Sequence, residues 1–104
     1  MNASKFLDEE EAFEVMPGCP TLTFVLEDEE LAVPYQSFQS AVFRKDEIEL
    51  TFSSGVLTIE GHCLSSLWRH FQLLDVRRIQ CLKSHDPEEP SISSLCWEES
   101  SEED

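Results

Sequence analysis

Cys63 and His70 are the first pair in this chain with chemistry to offer. A thiol just ahead of a helix is favoured as thiolate by the helix's positive end, and a nearby imidazole can take its proton. Both residues flank the start of the run LSSLWRHFQLLDVRR, and His62 stands beside the thiol as a second base or ligand. The wider set of metal-ligating types is His62, Cys63, His70, Cys81, His85 and Cys96. A zinc site announces itself through local pairs such as CxxC, HxxxH or HExxH, whose spacing lets two ligands reach one ion. None of these spacings occurs. Cys63 and Cys81 therefore read as small core residues and the histidines as surface residues. A thiol- or metal-dependent activity of Cys63 with His62 or His70 stands as the alternative reading, and no metal or other cofactor is called for.

The carboxylates give a second test. Glu47, Glu49 and Glu60 fall on the outer side of one expected hairpin, with Glu49 and Glu60 close across the strands. Acid–base work needs carboxyls held in a cleft. Beside Thr51 and Thr58 on an open sheet, these read as solvated. Gly18, Gly55 and Gly61 stand too far apart for a phosphate loop. Seven basic residues against 22 acidic ones, net −15, repel a polyanion and exclude nucleic acid as a partner. Arg69, His70, Arg77 and Arg78 form the local exception, a small cationic patch suited to a carboxylate group or to the chain's own acidic tail, with helix capping and surface pairing as the competing reading. Leu95 and Trp97, within SLCWEESSEED, are the other expected contacts, since acidic–hydrophobic segments often fold onto a partner. In the competing reading Trp97 folds back onto its own domain.

Elements must position these residues. The run at 48–61, IELTFSSGVLTIEG, alternates apolar and polar residues on both sides of Ser54-Gly55. A two-residue loop there, with Gly55 supplying positive φ, pairs Phe52 with Leu57 and Leu50 with Ile59. Ile48, Leu50, Phe52, Leu57 and Ile59 then share one face, and a one-residue slip would split the set. In TLTFVLEDEELAVPY at 21–35, a four-residue loop at 27–30 pairs Leu26 with Leu31, Phe24 with Val33 and Leu22 with Tyr35. Pro34 suggests an edge. A strand near 39–43 turns through RKDE, placing Phe43 opposite Ile48 and Ala41 opposite Leu50. Leu64, Leu67, Trp68, Phe71 and Leu74 recur at helical spacing, with Ser65 as N-cap and Arg77 and Arg78 toward the negative pole. Ile79 and Cys81 alternate as a further strand would. The expected fold class is α+β, an antiparallel meander of five to six strands with one amphipathic helix on its apolar face, flanked by acidic termini. The run GVLTIEGHCL resembles small β-rich bacterial domains in which apolar alternation precedes Gly-x-x-Leu, and that resemblance implies a strand and no function.

A chain of 104 residues has room for one domain. Net charge is −4 over residues 1–20, −4 over 21–82 and −7 over 83–104. The expected division is an acidic arm at 1–19, partly ordered at most, an α+β domain at 20–83 and a disordered Ser/Glu-rich tail at 84–104. A folding unit near sixty residues is marginal by itself, and an unpaired sheet edge favours association, so a homodimer is among the expectations. No apolar run is long enough to cross a membrane, and the acidic start lacks the form of a secretory signal. Cytoplasmic placement and reduced thiols at Cys19, Cys63, Cys81 and Cys96 follow as expectations. The reading is a small acidic intracellular protein-interaction or regulatory module without catalysis.

Overall fold

The alternating run at 48–61 forms the hairpin it promises, in a computed structural model that describes residues 12–82 and 89–99. Among the described residues the order is β1 (Phe13–Val15), β2 (Thr21–Val25), β3 (Glu30–Pro34), a 3-10 turn (Tyr35–Ser37), β4 (Phe38–Arg44), β5 (Glu47–Phe52), β6 (Gly55–His62), α1 (Ser65–Gln72), β7 (Val76–Ile79) and β8 (Ser91–Glu99). The fold class is α+β, with the strands in two sheets ordered β1-β7-β2-β3 and β4-β5-β6-β8. This replaces the single meander. An eight-residue helix is about 12 Å long, whereas five strands span about 24 Å, so α1 cannot cover such a face by itself. A second sheet completes the cover. After β6 the chain returns through α1 and sets β7 between β1 and β2, antiparallel to β1 and parallel to β2. One buried cluster draws on both sheets and the helix, including Leu22, Phe24, Leu50, Ile59, Leu67, Phe71, Val76 and Ile92.

The turns keep the predicted sidedness but slide two registers. In the β5–β6 hairpin Leu50 faces Leu57 and Ile48 faces Ile59, so the loop is Ser53-Ser54. Gly55 has no positive φ; among the described glycines only Gly18 has one, at 82°. Gly55 provides room instead, because a Cβ there would lie 2.6 Å from Trp97 Cζ2. In the β2–β3 hairpin Phe24 faces Leu31 and Leu22 faces Val33, leaving a loop at 26–29 closed by Leu26 N–H donating to the Glu29 carbonyl at 2.7 Å. A slide of two residues costs no sidedness, because side chains repeat every two. The β4–β5 turn has the expected register, Phe43 opposite Ile48 and Ala41 opposite Leu50. Pro34 lies in β3, at a sheet edge.

Strand structure continues beyond both boundaries drawn from composition. β1 lies within the segment read as an arm, whose residues 1–11 are outside the described set. β8 lies within the segment read as a disordered tail, and it pairs with β6 along its whole length, from His62 with Ser91 to Gly55 with Glu99. A register shift between Glu60 and Gly61 leaves Ser93 as an extra residue, so Ile92, Leu95 and Trp97 all reach the core side. The same device occurs at Arg77 in β7 and Gln39 in β4. VRRI, ISSL and FQSA are thus one pattern, two apolar residues turned inward around a polar pair by a bulge.

Candidate functional site

The C-terminus of α1 is where the surface departs from ordinary polarity. Ser65 is not the cap at the other end: Leu64 holds the N-cap position and no side chain closes it. At the C-terminus, Leu74 N–H donates to the Phe71 carbonyl at 3.1 Å and Asp75 N–H to the His70 carbonyl at 3.2 Å. These two bonds form a Schellman closure, whose left-handed residue is usually glycine. Here it is Leu74, at φ 55°, a conformation that costs a side chain with Cβ about 1 kcal/mol. The helix stripe therefore ends before Leu74, which is 36% exposed, and Leu73 beside it is 68% exposed.

A distant segment adds to the same corner. Met16 N–H donates to the Asp75 carbonyl at 2.7 Å, and Val15 pairs with Val76. Val15 is 40% exposed and Met16 49%. Leu74 also borders a groove of about 240 Å³ lined with Phe38, Ala41, Trp68, Phe71 and Gln72. Trp68 is fixed there by stacking on Phe43, 5.4 Å between ring centres.

Behind the corner lies a polar knot. Asp75, a buried acid, has Oδ1 3.0 Å from His70 Nδ1, and the Phe13 ring is 5.8 Å from the His70 ring. The carboxylate favours the imidazole tautomer with its proton on Nδ1. The Tyr35 hydroxyl donates to the Val76 carbonyl at 2.6 Å, and the Cys19 thiol points at the same oxygen from 3.6 Å. Burial pushes the Tyr35 phenol and the Cys19 thiol upward, and the Asp75 charge adds to both shifts. Two protonated donors thus anchor the start of β7.

The residues singled out from the sequence are dispersed. Arg69 is exposed on α1, one turn before Leu73. Arg77 and Arg78 are not on the helix but on β7, where Arg77 pairs with Glu14 at 3.0 Å and Arg78 with Glu30 at 2.9 Å. The buried Nε of Arg78 has no hydrogen-bond partner in the structure. Leu95 and Trp97 pack against their own core, with the Trp97 ring 5.3 Å from Phe24 and 6.3 Å from Phe52. His62 ends β6 opposite Ser91. Cys63 precedes α1 at φ 56° and is exposed, whereas His70 sits in the last turn, about 10 Å further along the helix rise and engaged with Asp75. None of the four cysteines is joined in a disulfide. Cys19 is the buried one; Cys63 and Cys81, read as core residues, are exposed. Among the described residues no three potential ligands form a metal-sized group, and His85 lies outside them. Glu47, not Glu49, faces Glu60, and both Glu47 and Glu49 reach Arg44, at 3.0 and 2.9 Å.

Sequence reasoning missed Val15, Met16 and Leu73. One signal was present: two consecutive leucines close the helix run, and only one of them fits its stripe. Val15 and Met16 carry no local signal, because what places them is pairing with β7, sixty residues away. No protein family model, curated protein or solved structure matches the chain. Among the described residues no helix is long and apolar enough to cross a membrane.

Proposed function

We propose that this chain works as a protein-interaction module without catalysis, and that its contact surface is the α1–β7 corner. The observation that carries this reading is the clustering of exposed apolar side chains. Of the five large hydrophobic residues that are exposed among those described, four belong to this corner, Val15, Met16, Leu73 and Leu74, drawn from segments nearly sixty residues apart. Scattered exposed apolar residues need no explanation, but four gathered around one backbone junction, where Met16 N–H meets the Asp75 carbonyl, support a contact site. Arg69 supplies a charge at its rim. Arg77 and Arg78 contribute less, since each is already occupied by an acid of its own chain.

Cross-linking in lysate with a photoreactive group at Gln72 tests this. Covalent adducts are expected with the wild-type chain and are expected to fall at least tenfold with Leu73→Glu, which leaves the core intact. An unchanged adduct pattern in the variant would remove the corner as a contact surface.

A further inference from the structure

We infer that the open edge of β4 receives an extended segment of another protein, running antiparallel to β4. One aliphatic side chain of that segment enters the groove between β4 and α1, and basic side chains lie on its opposite face. The inference goes beyond the α1–β7 corner and does not depend on it. Three observations carry it.

The first is that the core is one strand short at this edge. The inward residues of β5, Ile48, Leu50 and Phe52, are buried, whereas those of β4, Phe38, Ala41 and Phe43, are only half-buried. Trp68 stacks on Phe43, and Leu74 shares the groove with Phe38, so α1 runs alongside β4 in the opposite direction. Ala41, small between two phenylalanines, leaves the groove of about 240 Å³. Small-molecule sites run from about 300 to 1,000 Å³, so this one suits an aliphatic side chain or two. The two-residue turn at Lys45 and Asp46 makes Arg44 and Glu47 a hydrogen-bonded pair. Alternation then turns the N–H and C=O of Ala41 and Phe43 away from β5, toward the outer edge of the sheet.

The second is that β4 lacks the devices that close a strand edge. β1 spans three residues, β3 begins at Glu30 and ends at Pro34, and β8 carries the bulge at Ser93 and the acids Glu98 and Glu99. β4 reads FQSAVFR, without proline or acid, and beyond its bulge at Gln39 the pairing runs unbroken from Ser40 to Arg44. It also exposes Val42, the one large apolar residue exposed outside the corner among those described.

The third is charge. Arg44 engages both Glu47 and Glu49, at 3.0 and 2.9 Å, so the outer face beside β4 stays acidic, with Glu60 beyond. Glu49 lies directly across from Val42. A strand added next to Val42 is about 10 Å from Glu49, two strand spacings, within reach of a long basic side chain laid over the valine. The net charge of −15 draws in a basic segment and disfavours a second copy of this chain. Main-chain bonds to an exposed edge, with alternate side chains in a pocket, are a recurrent way to hold an extended peptide.

Fluorescence anisotropy of the full chain with a labelled, capped peptide, Lys-Val-Lys-Leu-Lys-Val-Lys, tests the inference, together with hydrogen exchange at single amides. Saturable binding is expected, weaker in high salt, with slowed exchange at Ala41 and Phe43. Antiparallel to β4, the Val and Leu amides of the peptide face the edge and its Lys amides face solvent. N-methylation of the Leu is expected to weaken binding about tenfold, the scale of a lost hydrogen bond, and N-methylation of a neighbouring Lys to change it little. Gln72→Trp, which fills the groove from an exposed position, and Ala41→Pro, which removes an edge donor, should each weaken binding to a similar extent. No saturable binding overturns the inference. Binding indifferent to Leu methylation or to Gln72→Trp also overturns it, because charge alone would then be holding the peptide. A chain that dimerises through this edge, and that Ala41→Pro returns to monomer, overturns it as well, since a second copy would then be the occupant.

Discussion

The β5–β6 hairpin and β8 lie side by side in one sheet, yet they bury their apolar residues on different rhythms. β5 and the first part of β6 bury alternate residues: Ile48, Leu50 and Phe52, then Gly55, Leu57 and Ile59. β8 turns Ile92, Leu95 and Trp97 inward, a spacing of three and then two. The hairpin meets the core by pleat alone. The outer strand needs one extra residue, Ser93, to change parity partway along, and its Oγ is tied back to the Glu60 carbonyl at 3.1 Å. A strand can thus be strongly specified while showing no alternation, provided a bulge restores the facing of the residues beyond it.

Deletions should break this comparison most sharply. Removing Thr58 from β6 has no bulge to absorb it and throws either Leu57 or Ile59 to the wet face, together with every residue beyond it. Loss of most of the stability is expected, read as a collapsed urea midpoint or absent near-UV signal. Gly61→Val comes next. A Cβ at Gly61 collides with the backbone carbonyl of Ser91, so β8 must move away at its bulged end. A cost of about 3 kcal/mol is expected, the scale of forced overpacking against backbone. Deleting Ser93 should do least. It leaves Ile92, Ser94, Leu95, Cys96 and Trp97 in plain alternation, with the pairs to Gly61, Ile59 and Leu57 unchanged. A change under about 1 kcal/mol is expected, and a large loss would mean that the bulge itself, rather than the facing, holds the strand.

The same comparison explains what was legible in the sequence. Where facing follows a period of two, as in β2, β3, β5 and β6, the inward residues could be named, and even a slide of two registers left them correct. The β4–β5 register was readable to the residue because RKDE admits only one tight turn that keeps Phe43 and Ala41 inward. The helix stripe was readable up to Phe71. What escaped was decided by pairing between distant segments. Ser91–Glu99 is acidic, serine-rich and preceded by prolines, so its composition argues for a tail, while its docking depends on Gly55 and Gly61 having cleared space for Trp97 and Ser91. Arg77 and Arg78 looked like helix-end charges because nothing local marks the end of α1 at Gln72 or the start of β7 at Val76. The corner was harder still. Leu74 could be placed on the helix stripe, but its left-handed conformation depends on how the chain turns into β7.

One consequence concerns alkali. The Val76 carbonyl is the common target of the Tyr35 hydroxyl and the Cys19 thiol, and both groups are held in their protonated forms more firmly in the folded chain than in the unfolded one. Above the ordinary thiol value of 9.0 and the ordinary phenol value of 10.0, the unfolded chain releases these protons while the folded chain keeps them. Stability is therefore full at neutral pH and declines as pH rises past those values. Denaturant midpoints followed upward from pH 8 should show the decline, and Tyr35→Phe should flatten its steeper part. An equal slope in that variant would mean that the phenolic proton is not part of the clasp at the head of β7.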